Sequence, residues 1–141
     1  MDAAFDIAAL LDAVARWAAA DPRIAAVLLV GSHARGAARA DSDVDLVVLC
    51  DEPDAFVSDR SWVTTFGVAR AQRVEEWGRV RSVRVRYAGG PEVEFGFASP
   101  TWAALPLDAG SERVLRDGYR VVFDRTGVAT ALAPLRSRLT E

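Results

Sequence analysis

The chain has 141 residues, a length for one domain with no room for a second independent core. Apolar residues make up 51% and charged residues 26%, which excludes disorder by composition, since there is ample apolar surface to bury. The net charge of −3 and the pI of about 5.2 supply no broad positive field for nucleic acid or membrane surfaces.

All 17 basic residues are Arg. Cationic contacts are therefore made by guanidinium, which forks onto carboxylate or phosphate, and catalysis through a Lys amine of this chain is excluded. The single cysteine, Cys50, cannot form an internal disulfide and reads as a small core residue. The Met-Asp start has no basic leader followed by an apolar core, and no apolar run approaches the roughly 20 residues of a membrane span. A cytoplasmic protein folded as one domain over residues 1–141 is the expectation.

Taken in chain order, residues 3–19 carry apolar side chains at helical spacing, with Asp2 as a cap and Asp21-Pro22 as a stop. Ile24 to Val30 is a continuous apolar run that suits a strand buried on both faces. Gly31-Ser32 breaks it, and His33 to Ala40 predicts two helical turns. Val44 to Cys50 is a second buried strand.

Residues 54–77 are mixed, with a helix expected around Asp59 to Val68. Val80 to Tyr87 alternates, Ala88-Gly89-Gly90-Pro91 turns, and Glu92 to Phe97 returns, which predicts a β-hairpin. Ser99-Pro100 reads as a cap followed by proline at the first helical position. Short helical and strand segments follow at Ser111 to Asp117 and Tyr119 to Phe123, then a terminal helix at Val128 to Leu139. The sum is an α/β (α+β) fold: a mixed sheet of about five strands with helices mainly on one face.

Three pieces of this chain carry chemistry. Gly31-Ser32 follows a buried strand and precedes a short helix, so it offers backbone N–H groups and a hydroxyl to a phosphate. Alone, Gly-Ser after a strand is most often only a turn. Asp43-Val44-Asp45 opens the second strand, and the two-residue period puts both carboxylates on one face. Two close carboxylates repel unless a cation lies between them, and hard oxygens at this spacing suit Mg²⁺. A lone Asp-x-Asp is usually a solvated strand entry.

Glu92-Val93-Glu94 lies on the hairpin, with Glu92, Glu94 and Gly96 on the face opposite Val93, Phe95 and Phe97. Glu94 is better placed than Glu92 to join the first two acids, and Gly96 leaves room for a ligand. A third acid would permit a second metal about 3.5–4 Å from the first. Arg79, Arg81, Arg84 and Arg86 form a basic stripe on the hairpin, read first as a solvated outer face and second as a contact for a nucleotide, an anionic acceptor or nucleic acid. Trp17, Trp62, Trp77 and Trp102 read as core or interface residues.

In order, residues 31–49 are GSHARGAARADSDVDLVVL. This stretch resembles the DNA polymerase beta-like nucleotidyltransferase superfamily, with its Gly-Ser, short spacer and Asp-x-Asp ahead of apolar residues. Ala34-Arg35-Gly36 and Ser42-Asp43 are similar to the branch of small bacterial enzymes that holds antibiotic adenylyltransferases and minimal nucleotidyltransferase antitoxins.

The resemblance implies transfer of a nucleoside monophosphate, AMP by preference, from an NTP to a hydroxyl, with two Mg²⁺ ions and release of pyrophosphate. Gly31 and Ser32 would hold the β- and γ-phosphates. Asp43, Asp45 and Glu94 would ligate metal, with Glu94 also the general base. Arg35, and after it Arg39, would add a phosphate contact. His33 is read either as a phosphate contact or as a solvent-exposed or capping residue. The superfamily commonly has Asp where this chain has Glu94. The acceptor is a small molecule or a protein, and a homodimer or partner would complete its pocket. Two other readings are an antitoxin-like partner that binds or AMPylates a HEPN-type toxin, and a nucleotide-binding pseudoenzyme.

Overall fold

Ile24–Val30 is buried at every position, and Val44–Cys50 at all but Asp45. Side chains covered on both faces require neighbours on both sides, and these strands, β1 and β2, form the centre of a sheet. In this computed structural model, which describes residues 6–39, 42–78, 80–103, 115, 118–125 and 127, the sheet has six strands. The others are β3 (Ala69–Trp77), β4 (Val80–Tyr87), β5 (Glu92–Ala98) and β6 (Tyr119–Asp124), in the order β3-β4-β5-β2-β1-β6. Only the β2–β5 pairing is parallel.

Helix α1 (Ile7–Ala20) starts at Asp6, whose carboxylate accepts the backbone N–H of Ala9 at 3.2 Å. Asp6 therefore caps the helix rather than the expected Asp2, which lies outside the described residues. Leu10, Val14 and Ala18 recur at helical spacing and are buried. The helix stops at Asp21-Pro22 as expected. There the Arg125 guanidinium donates to the carbonyls of Ala18 at 3.0 Å and Ala19 at 2.9 Å, satisfying the open C-terminal acceptors.

Helix α2 is a single turn, Ser32–Arg35, shorter than the expected His33–Ala40, because Gly36 takes a left-handed conformation and ends it. The helix expected around Asp59 to Val68 is instead two short pieces, α3 (Pro53–Ser58) and a 3₁₀ turn (Ser61–Phe66). Asp59 ends the first of them. The Trp62 indole N–H donates to the Phe56 carbonyl at 2.9 Å and holds the two pieces together.

Strand β3 was not expected. Among the described residues it is an edge strand paired with β4 alone, and it makes the count six rather than five. The hairpin β4–β5 forms as expected, and Ser99-Pro100 opens a short 3₁₀ turn, Pro100–Ala103. Apart from Leu115, the expected helix at Ser111–Asp117 lies outside the described residues, as does the terminal helix.

Each face of the sheet carries its own apolar cluster. One packs α1, α3 and the 3₁₀ turn onto β4 and β5 through Phe56, Trp62, Phe95 and Phe97, with Trp17 and Phe66 at its margin. Their rings meet at 4.8–6.0 Å, within the range where edge and stacked aromatic contacts are favourable. The other gathers Leu28, Leu49, Trp102, Leu115 and Tyr119. Trp62 and Trp102 are thus core residues. Cys50 is fully buried, and burial pushes its thiol up to about 12. Among the described residues no helix is long and apolar enough to cross a membrane.

Candidate active site

The site follows from register. Val30 at the end of β1 lies opposite Asp45 on β2, so Gly31-Ser32 leaves the sheet where Asp45 enters it. On the other side of β2, the parallel pairing sets Asp45 level with Glu94 on β5. Side chains at matched positions of neighbouring strands share a face. The two acids, far apart in the chain, are therefore neighbours by construction.

Gly31 has φ 75°, and an added Cβ would collide with Asp45 Oδ2. Glycine is required there for both reasons. The α2 turn is closed by Ala34 and Arg35 N–H donating to the Gly31 carbonyl, at 3.1 and 3.2 Å. His33 Nε2 lies 3.4 Å from the Ser42 carbonyl oxygen, and Ser42 Oγ accepts the Arg39 backbone N–H at 2.7 Å. His33 thus ties α2 to the segment that delivers Asp43, a positioning contact rather than an exposed one.

Burial pushes the Asp45 carboxyl above its ordinary range; Glu94, and more weakly Asp43, add like-charge repulsion, while Arg84 and His33 oppose them. Asp45 accepts no hydrogen bond and forms no ion pair among the described residues. Glu94 is held at both oxygens, by Ser82 Oγ at 2.9 Å and by Arg84 Nη2 at 2.5 Å.

Arg84 corrects the reading of the basic stripe as a solvated face. Its side chain is only 14% exposed and reaches four carboxylates: Glu75 at 2.8 Å, Glu94 at 2.5 Å, Asp43 at 3.2 Å and Glu92 at 3.3 Å. Burial disfavours its charge, but the hydrogen bond to Glu75 and the charges of Glu94 and Glu75 overcome this and hold it protonated more firmly than an ordinary Arg. Arg81 instead pairs with Asp54 at 2.8 Å, Arg86 reaches Glu92 at 3.4 Å, and Arg79 lies outside the described residues. A sequence signal for Arg84 existed: counting back from the 88–91 turn sets Arg84 directly across from Glu94, and Arg86 across from Glu92.

The structure thus brings Asp43, Asp45 and Glu94 to one face beside Gly31. Glu92 stands at its edge, sharing the same guanidinium. As they stand, no three acid, His or Cys side chains among the described residues are gathered closely enough to hold a metal ion. Arg35 is not drawn into the group. Its Cγ lies against Gly118 at the start of β6, beyond β1 on the side away from β2. Gly96 does not open space for a ligand either, because Val80 Cγ1 and the Leu46 carbonyl already fill the position of a Cβ.

No curated protein sequence matches the chain. Among solved structures, it is similar to an aminoglycoside 6-adenyltransferase from Bacillus subtilis, with TM-score 0.53 and 16% identity over 67% of this chain and 35% of that one. It is also similar to the non-canonical poly(A) polymerase complex GLD-2–GLD-3, with TM-score 0.43 and 16% identity over 67% of this chain and 32% of that one. The chain therefore spans about a third of the length of these structures. The first likeness shows the fold, that of a nucleotidyltransferase. The family model for streptomycin adenylyltransferase matches residues 6–86, from the cap of α1 to the end of β4, and takes in Gly31-Ser32, Asp43, Asp45 and Arg84. With more than half of its length in that match, the chain belongs to the streptomycin adenylyltransferase family.

Proposed function

We propose that this chain is the catalytic core of a Mg²⁺-dependent nucleotidyltransferase that moves AMP from ATP to a hydroxyl acceptor and releases pyrophosphate. One juxtaposition carries the reading. Asp45 and Glu94 lie level on adjacent strands, and Gly31-Ser32 turns away from β1 against the Asp45 carboxylate. A Gly-Ser turn beside paired acids is an arrangement suited to a phosphate and its metal.

The residues fit a hard divalent cation. Their donors are carboxylate oxygens, Asp45 is a partly buried charge without a partner, and a guanidinium already stands among the acids as a positive charge. Asp43, Asp45 and Glu94 would hold the metal. When bound, it supplies charge neutralisation at the phosphates and favours ionisation of the acceptor hydroxyl.

The chain's own groups do the rest. Gly31, lacking a Cβ, lets the Asp45 carboxylate lie against the α2 turn, and the Gly31 backbone and the Ser32 hydroxyl would hold the β- and γ-phosphates. Arg35 adds an exposed guanidinium from the same turn. Glu94, with one oxygen fixed by Ser82, is oriented to accept the acceptor's proton. The family's name supports AMP as the group transferred and makes streptomycin the first acceptor to test.

The test uses ATP labelled at the α-phosphate, Mg²⁺, and a panel of aminoglycosides and other hydroxyl acceptors beginning with streptomycin. Expected is label on one acceptor, lost in Asp43→Asn and Asp45→Asn. Absence of transfer together with absence of Mg²⁺-dependent ATP binding overturns the reading.

A further inference from the structure

Arg84 forms more than an ordinary cross-strand ion pair. Its three nitrogens are all engaged, and its partners come from three places: Glu75 on β3, Glu94 and Glu92 on β5, and Asp43 ahead of β2. Two of the four, Asp43 and Glu94, belong to the proposed metal-holding set. The third member of that set, Asp45, has no hydrogen-bond or ion-pair partner among the described residues although it is level with Glu94. The guanidinium therefore gathers two of the three acids around itself and stands as a cation among the oxygens a metal would use.

We propose that Arg84 is a built-in counter-ion of this acidic face, a positioning residue that holds Asp43 and Glu94 in the metal-free protein and must yield them when a divalent cation binds. The inference rests on the reading of the site as a metal-dependent nucleotidyltransferase centre. Glu75 gives the device its return path. It bonds Arg84 through Nε at 2.8 Å from the outer strand, so the guanidinium can release Nη1 and Nη2 without leaving the sheet. The exchange is an equilibrium between two cations for the same oxygens. Whatever weakens the hold of Arg84 strengthens that of the metal, and the reverse.

The experiment is Mn²⁺ titration of the nucleotide-free protein, following free Mn²⁺ by electron paramagnetic resonance, beside thermal melts with and without Mn²⁺. Arg84→Gln is expected to bind Mn²⁺ about tenfold more tightly than wild type, within the usual range of coupling between sites. It should also melt lower than wild type without metal, with the gap closing at saturating Mn²⁺. Arg84→Lys, which keeps the charge, should return both readouts toward wild type.

Equal or weaker Mn²⁺ binding by Arg84→Gln overturns the inference. Should that variant fail to fold, Glu75→Gln tests the same linkage with the opposite sign. It leaves Arg84 more dependent on Asp43 and Glu94, so Mn²⁺ binding should weaken about threefold; unchanged or tighter binding overturns the inference. Failure of the parent reading looks different: wild type itself then binds no Mn²⁺ in a manner sensitive to Asp45→Asn.

Discussion

Strands β4 and β5 present two faces of opposite character. Val83, Val85, Tyr87, Val93, Phe95 and Phe97 point toward the helices and are buried, and the one polar tip among them, the Tyr87 hydroxyl, donates to the Val63 carbonyl at 2.7 Å. Ser82, Arg84, Glu92 and Glu94 alternate with them and form the acidic face. Around these six side chains the first face is complete as it folds: their contacts are dispersion, aromatic packing and a satisfied hydrogen bond. The second is not: among the described residues, four carboxylates (Asp43, Glu75, Glu92 and Glu94) meet the half-buried Arg84 guanidinium, Arg73 and Arg86 reach only Glu75 and Glu92, and Asp45 has no ion-pair partner. The same eight-residue strand thus stabilises the fold on one side and stores unbalanced charge for a ligand on the other.

The largest effect is expected on the apolar face. Phe97 is fully buried, stacked 4.9 Å from Phe56 and 5.2 Å from the Trp62 ring. Phe97→Ala should cost about 3–5 kcal/mol in urea unfolding. That loss should be the same at low and high salt and with or without Mg²⁺. A strong dependence on either would break the separation of the two faces.

Gly31→Ala comes next and belongs to the acidic face. It forces a side chain into a left-handed conformation and onto Asp45 Oδ2. A loss of about 1–3 kcal/mol is expected, with Mg²⁺-dependent ATP binding weakened at least about tenfold. Gly36→Ala is the control, because Gly36 has nearly the same φ, 72°, with nothing within 4 Å of an added Cβ. It should cost only the backbone strain, about 1 kcal/mol, and keep nucleotide binding. Equal binding losses in the two variants would mean that the crowding at Asp45 is irrelevant.

The contrast between faces also explains what could be read from the sequence. β1 is legible as an unbroken apolar run, β2 as one interrupted by Asp45 alone, and β5 as clean alternation, because burial dictates those residue types. The Gly-Ser and Asp-x-Asp pieces were plain because their chemistry restricts them to few residues. β3 was hidden. Arg70, Ala71, Gln72, Arg73, Val74 and Glu76 are exposed, so nothing in its own pattern demands a strand; its pairing with β4 makes it one. Arg84 was hidden for a related reason. On its strand it is one Arg of an alternating series, and its role arises only when the hairpin, the β3 edge and the entry of β2 converge on it. The direction of the Arg35 stem, toward Gly118 ahead of β6, is likewise set by packing that its place in the Ser32 turn does not reveal.

The smallest effect has the opposite sign to the others. Asp45 has a carboxyl raised on folding from its ordinary value of 3.8, by burial first and by Glu94 next. A carboxyl raised on folding takes up protons as the chain folds. Its charge therefore opposes folding: the penalty is absent below the unfolded value, grows as pH rises through the folded one, and is fully present at pH 7. Asp45→Asn removes the charge and keeps the shape. In metal-free buffer at pH 7 it should melt higher than wild type, by on the order of a few degrees. The advantage should shrink as pH falls toward 4, and saturating Mg²⁺ should reverse it by stabilising wild type alone. A variant that melts lower than wild type in metal-free buffer at pH 7 would show that Asp45 is satisfied where it stands, and that the acidic face carries no unbalanced charge for a cation to relieve.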